Sequence, residues 1–216
     1  MQTILKGIFL LLLALPINTF AETFKQSSDI KLVSQYVWRG VDLNTEEAAI
    51  QGQYHLQSDF GLWFNLWGSN YDFGLDDGVQ IDLSAGFKIP LDKSLFINLG
   101  IKEYTYTGST ESSTEYFVTF GGIPLGGFST DFSYANDKDR ETDYLAVDAT
   151  HKINSNFSLA LHYGYTDSIP ENYSDVAIGI DFNLDSRLKL SAKFTNNSRN
   201  TLNDEDYFII SMRYAF

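Results

Sequence analysis

From Tyr207 to Phe216 the side chains alternate without interruption. Phe208, Ile210, Met212, Tyr214 and Phe216 fall on one side, Ser211 and Arg213 on the other. A period of two is the signature of a strand with one apolar face. Because the pattern runs to an aromatic last residue, the written chain ends inside a sheet rather than in a frayed tail. This stretch constrains the fold more than any other.

The opposite end reads differently. Lys6, the apolar run 8–15 and Thr19-Phe20-Ala21 have the basic, apolar and small-residue segments of a secretory signal peptide, with cleavage expected after Ala21. Nowhere does the chain offer the roughly 20 uninterrupted apolar residues that a membrane helix requires. If it spans a bilayer it must do so as a closed barrel, since only helices and barrels satisfy the backbone in lipid. The chain contains no Cys, which excludes disulfide stapling and thiolate metal sites.

Read at period two, residues 22–216 break into segments of about 9–11 residues, the length a tilted strand needs to cross a membrane. They are expected at 29–39, 48–57, 60–70, 79–89, 94–104, 115–122, 127–136, 143–152, 157–166, 174–184, 187–196 and 207–216. Outward rows are apolar: Ile30, Leu32, Tyr36 and Trp38 in the first, Val79 to Ile89 in the fourth, Val176 to Leu184 in the tenth. Interleaved rows are polar or small, as in Gln51, Gln53, His55 and Gln57. Short turns at 58–59, 90–93, 123–126, 153–156 and 185–186 alternate with longer loops near 40–47, 70–78, 105–114, 137–142, 167–173 and 197–206. The expected fold is therefore all-β: a single antiparallel up-and-down transmembrane β-barrel of about 12 strands, with both termini on the short-turn, periplasmic side. Only 61–68 resists the pattern, being apolar on both faces; Trp63 and Trp67 are expected to point into the lumen.

Ser34-Gln35-Tyr36-Val37-Trp38-Arg39-Gly40-Val41, then Gln51-Gly52, then Trp67-Gly68-Ser69-Asn70-Tyr71-Asp72-Phe73 resembles the TorF-type porin family of proteobacterial outer-membrane proteins. The resemblance covers residues 29–90. The chain ending, with Tyr214 and Phe216, resembles the assembly signal of outer-membrane barrels. Membership implies one barrel and solute passage, but brings no catalytic motif and no defined substrate. Arg39 and the block 67–70 are expected as structure at the extracellular rim. The implied partners are the lipid bilayer, lipopolysaccharide, the outer-membrane barrel assembly machinery and small hydrophilic solutes, and the implied location is the bacterial outer membrane.

Charge bears most on function. The net charge is −13, which disfavours nucleic acid. Many acids fall in the expected loops and their flanks, among them Asp42, Glu46, Asp76, Glu111, Glu115, Asp137, Asp139, Glu141, Asp143, Asp167, Glu171, Asp175, Asp204 and Glu205. On lumen rows Lys31, Arg39, Lys88, Lys102, Lys152, Lys189, Lys193 and Arg213 outnumber Asp82, Asp131, Asp148 and Asp181. A water-filled lumen with that excess would prefer anions weakly. The expected function is passive diffusion of small hydrophilic solutes or ions through a narrow channel. The pore-lining candidates are Lys31, Arg39, Asp82, Lys102, Asp131, Asp148, Asp181, Lys193 and Arg213. Lumen charges that merely pair and fill the barrel would instead give a closed structural or surface-binding protein.

An enzyme is not expected. A lipid hydrolase or acyltransferase would need a base beside a nucleophile, and His55, His151 and His162 carry no nucleophile-elbow pattern. No cofactor is expected. Nor is a metal site: 137–141 alternates acids as a calcium loop does but lacks the glycine and the distal glutamate. Aromatics near strand ends suggest two interfacial belts: Tyr36, Trp38, Tyr116, Tyr134, Tyr144, Tyr165 and Phe208 above, and Phe60, Phe87, Phe96, Phe128, Phe157, Phe182 and Phe216 below. Tyr104 and Tyr106 are left on the lumen side, where sugar stacking is the alternative to anchoring.

Overall fold

In the computed structural model, residues 24–199 and 206–216 are described. The signal-peptide reading of 1–21, and Asp204 and Glu205, lie outside them. Fourteen strands run in order: β1 (Phe24–Val33), β2 (Val37–Trp38), β3 (Val41–Asp42), β4 (Ala49–Ser58), β5 (Leu62–Asp72), β6 (Asp77–Pro90), β7 (Phe96–Tyr106), β8 (Ser113–Leu125), β9 (Phe128–Asp137), β10 (Thr142–Lys152), β11 (Phe157–Asp167), β12 (Tyr173–Asn183), β13 (Leu188–Asn197) and β14 (Asp206–Ala215). All but β2 and β3 form one closed antiparallel barrel of twelve strands. Each strand pairs with its neighbour in sequence, except that β1 pairs with β4 and closes the ring on β14.

The closing seam is where the terminal alternation matters. Leu32 faces Met212 on the outside, while Lys31 faces Arg213 and Val33 faces Ser211 on the inside. The Phe216 amide donates to the Ser28 carbonyl at 3.0 Å. Closure leaves no unpaired edge, the condition for a sheet in hydrocarbon. The outer surface is correspondingly apolar: Ile50 is 65 % exposed, Leu83 57 % and Phe208 64 %. In water these rows would be a severe liability; against lipid they are the solvated face.

Two expectations about connections are corrected. The barrel strands run further than the periodicity indicated, so 73–76 and 138–141 are no longer than the turn 91–95. Among the described residues, the longest stretch outside the barrel strands is 34–48, between β1 and β4. The first strand was expected to continue to residue 39; it stops at Val33. Tyr36 and Trp38 therefore do not extend the lipid row or its aromatic belt. Tyr36 is 6 % exposed, packed with Val33 and Ala49, with Trp38 and Trp67 against them. Tyr144 and Phe96 also leave the belts. Tyr144 packs with Ala135 and Ala146 on the lumen face, and Phe96 crowds Gly121 beneath the Lys88 ammonium.

The lower lumen is filled by aromatic packing. Trp63 points inward, as expected, stacks between His55 and Phe117, and donates its indole N–H to Asn98 at 2.7 Å. Gly86 and Gly100 are paired across β6 and β7, and a Cβ on either would meet the Trp63 ring. The two glycines are the groove that lets an indole lie against the wall.

Candidate functional site: a lumen divided by an infolded hairpin

Segment 34–48 turns into the barrel and carries the hairpin β2–β3, whose tip is Arg39-Gly40. Both tip residues have positive φ, 49° and 74°. That is what a two-residue turn of the primed type demands of its central positions, and glycine at the second meets the demand without strain. Arg39 meets it at a cost that its contacts offset. Its guanidinium donates to Glu115 on β8 at 2.7 Å, with the two side chains only 10 % and 4 % exposed. It also lies over the rings of Trp38 and Tyr144, at 4.1 and 3.9 Å from their centres. On the far side the Asn197 amide donates to the Gly40 carbonyl at 2.6 Å. A Cβ on Gly40 would stand 2.7 Å from both Asn197 Cβ and Asp175 Cβ, so the tip reaches the opposite wall.

The root of the hairpin is held from β5. Asn70 accepts from the Ile50 amide at 2.8 Å, the Asp72 amide donates to the Leu43 carbonyl, and fully buried Asn44 donates to the carbonyls of Glu47 and Ala48. Arg39 is thus turned into the lumen, tied to Glu115 and Tyr144, each the third residue from the loop end of its strand. Of the block 67–70, Trp67 packs on Tyr36 inside while Asn70 anchors the loop.

The wall facing the hairpin carries a second polar cluster. His162 meets Asp148 through Nδ1 at 2.7 Å and Asp175 through Nε2 at 2.8 Å, and the Tyr144 hydroxyl stands 2.9 Å from Nε2. Both ring nitrogens therefore face carboxylates. His55 stacks on Trp63, and His151 lies on the outer row with its Nδ1 2.8 Å from the Gly127 carbonyl.

Among the described residues, two cavities adjoin Trp38, whose ring meets that of Tyr104 edge to face at 5.9 Å. The outer one, about 290 Å³, is bounded by Trp38, Phe73, Tyr104, Tyr106, Thr110, Glu111 and Arg140. The inner one, about 720 Å³, is bounded by Lys31, Gln35, Trp67, Asp82, Lys102, Asp148, Asp181 and Lys193 among others. Near the outer chamber, Asp76 staples loop 107–112 by accepting from the hydroxyls and amides of Ser109 and Thr110. The Thr110 hydroxyl, then the Ser109 amide, hold the Asp76 carboxyl well below the usual carboxylate range.

The lumen charges need a correction. Glu115, Asp137 and Asp175, counted from the sequence with the loops and their flanks, are buried on the inner wall of β8, β9 and β12. Asp29 joins them opposite Arg213, at 3.3 Å. The expected numerical excess of lumen cations therefore disappears. What remains is a difference in pairing. Arg39 is matched with Glu115, Lys189 with Asp181, Arg213 with Asp29, and His162 with Asp148 and Asp175. Asp131 accepts from the Gly122 amide at 2.7 Å, and Asp82 from the Gln80 amide at 2.8 Å. Among the described residues, Lys31, Lys102 and Lys193 have no carboxylate within 4.0 Å. All three border the inner chamber.

Strand parity could have found Glu115. Tyr116, Val118 and Phe120 face outward, which puts residue 115 inside once the strand is extended to Ser113. The infolding of 34–48 has no comparable signal.

The closed twelve-stranded antiparallel barrel is a fold that this chain shares with solved outer-membrane porins. A KdgM porin superposes with a TM-score of 0.68 at 12 % identity, over 88 % of this chain and 99 % of its own. A NanC porin gives 0.65 at 11 %, over 87 % and 98 %, and an outer-membrane channel from Pseudomonas putida F1 gives 0.57 at 10 %, over 88 % and 94 %. At such identities the likeness concerns the fold. By sequence, residues 18–209 match the family described as "Bacterial protein of unknown function (Gcw_chp)", and the chain belongs to that family. No curated protein matches it.

Proposed function

We propose that this protein is an outer-membrane channel for passive diffusion of small hydrophilic solutes, with the hairpin at 37–42 as its constriction and a weak preference for anions. The reading keeps the TorF-type resemblance as its family context, together with export by the N-terminal segment, assembly by the barrel machinery and contact with lipopolysaccharide. The observation that carries it is the inner chamber, where Lys31, Lys102 and Lys193 stand without paired carboxylates. Lys31 on β1 and Lys193 on β13 border the same chamber from either side of β14. Fixed charge in a low-dielectric tube biases which ions enter, because the field is confined along the pore. Lys31, Lys102 and Lys193 would set that bias. Arg39 would shape the constriction, and Asp82, Asp131, Asp148, Asp181 and Arg213 would tune the field less, each being already engaged.

Single-channel recording of the purified, folded protein in planar bilayers tests this. The expected result is discrete conductance with a reversal potential on the anion side in a salt gradient. A folded barrel that never conducts would defeat the channel and favour the closed structural barrel.

A further inference from the structure

The outer chamber differs chemically from the inner one, and we propose that it is a binding site for a neutral saccharide. It rests on the barrel facing solvent at this mouth, and it deepens the channel reading by naming a solute class, but binding itself needs no conductance.

Three rings are available to a ligand: half-buried Trp38 and Tyr106, and exposed Phe73. Tyr104, only 2 % exposed, is the floor on which Trp38 leans. Tyr71 fixes Phe73 and Tyr106, at ring separations of 4.6 and 5.3 Å, so the wall is preassembled. Beside the rings lie Arg140, which can only donate hydrogen bonds, and Glu111, which when ionised can only accept them. A sugar ring matches this combination. Its C–H face packs on aromatic rings, while its hydroxyls must both donate to a carboxylate and accept from a guanidinium.

Other ligand classes fit worse. Four aromatic rings suggest a cage for a quaternary ammonium, but the cage already holds a cation. The Arg140 guanidinium lies 5.6 and 5.5 Å from the Tyr104 and Tyr106 ring centres, within cation–π range, and donates to the Tyr106 hydroxyl at 3.1 Å. An anion would meet that guanidinium, but Asp137 is already 3.9 Å from it and Glu111 borders the same space. A neutral ligand avoids both penalties. A volume of about 290 Å³ lies near the lower end of ligand pockets, which suits one ring of a saccharide at a time.

The test is calorimetric titration of the refolded, detergent-solubilised protein with maltotriose, cellotriose and xylotriose, against choline and galacturonate. At least one neutral trisaccharide should bind, and bind more tightly than choline or galacturonate. Tyr106→Ala and Glu111→Gln should each weaken it tenfold or more, while Tyr106→Phe, which keeps the ring, should retain most of the affinity. Glu111 is exposed, so its variant reports on the site without threatening the fold. No binding of any of the three, tighter binding of choline or galacturonate, or unchanged affinity in both Tyr106→Ala and Glu111→Gln would overturn the proposal. Planar-bilayer recording of the same preparation separates the two readings. Conductance without saccharide binding sinks the site alone, and saccharide binding without conductance sinks the channel alone.

Discussion

The hairpin and the chamber beneath it treat charge in opposite ways. Around the hairpin tip the charged and polar groups are matched: Arg39 with Glu115, His162 with Asp148 and Asp175, and, without charge, the Gly40 carbonyl with the Asn197 amide. In the inner chamber Lys31, Lys102 and Lys193 have no carboxylate partner, and Lys102 lies 5.2 Å from the Tyr104 ring centre. Matched, buried charges hold a non-regular segment in place, because removing one partner strands the other. Unmatched, hydrated charges contribute little to folding and leave their field for whatever enters. The same residue types therefore serve architecture in one region and selectivity in the other.

Perturbing the matched region should have the largest effect. Arg39→Ala strands Glu115, and breaking such a buried pair typically costs about 3–5 kcal/mol. The hairpin should detach from β8, and single-channel recording should register a larger, noisier conductance in a barrel that still migrates as folded on unheated gels. An unchanged conductance would mean that the hairpin is not the constriction. Gly40→Ala should act in the same direction but less strongly. The position has φ 74° and its new Cβ would press on Asn197 and Asp175, a strain of about 1–3 kcal/mol. Loss of protection from trypsin at Arg39 would report the displaced tip.

Perturbing the unmatched region should leave stability nearly unchanged. Lys193→Glu or Lys102→Glu should move the reversal potential in a salt gradient towards cations by several millivolts or more, with the unfolding midpoint in urea altered little. A variant that unfolds readily yet keeps its ion preference would invert the contrast drawn above.

The smallest effect is expected at the mouth, from pH. Asp76 has a depressed carboxyl pKa in the folded protein because hydroxyls and amides of loop 107–112 donate to it. A depressed folded pKa contributes stability above the unfolded value of about 3.9 and loses it as pH falls through the folded one. Loop 107–112 should hence stay closed at pH 5–7 and loosen only below about pH 4. Amide exchange at Ser109 and Thr110 measures this, and Asp76→Asn should remove the pH dependence.

Much of the barrel was legible from residue order because it depends on parity. Alternation at 79–89, 174–184 and 207–216 assigns each side chain to hydrocarbon or lumen before any contact is known, and in the first strand it placed Lys31 on the inner face. Parity failed where the chain stops being a strand. Tyr36 and Trp38 continue the rhythm of Ile30 and Leu32 on paper, yet Arg39 and Gly40 adopt left-handed backbone and the segment turns inward. Strand ends were read less well: Asp137 was given to a loop, and Glu115 and Asp175 were counted with the loop flanks although they sit on the inner wall.

Residue order alone determined a sheet with an oil-facing side, its closure at an aromatic terminus and its twelve strands, because those follow from a local period of two and from the bilayer's thickness. Only the tertiary structure decided which charges are matched. Arg39 and Glu115 are 76 positions apart and Gly40 and Asn197 are 157, and no local pattern encodes a distance across the lumen. The division into an aromatic outer chamber and a lysine-bearing inner one follows from those long-range pairs, which pin one hairpin across a ring of strands.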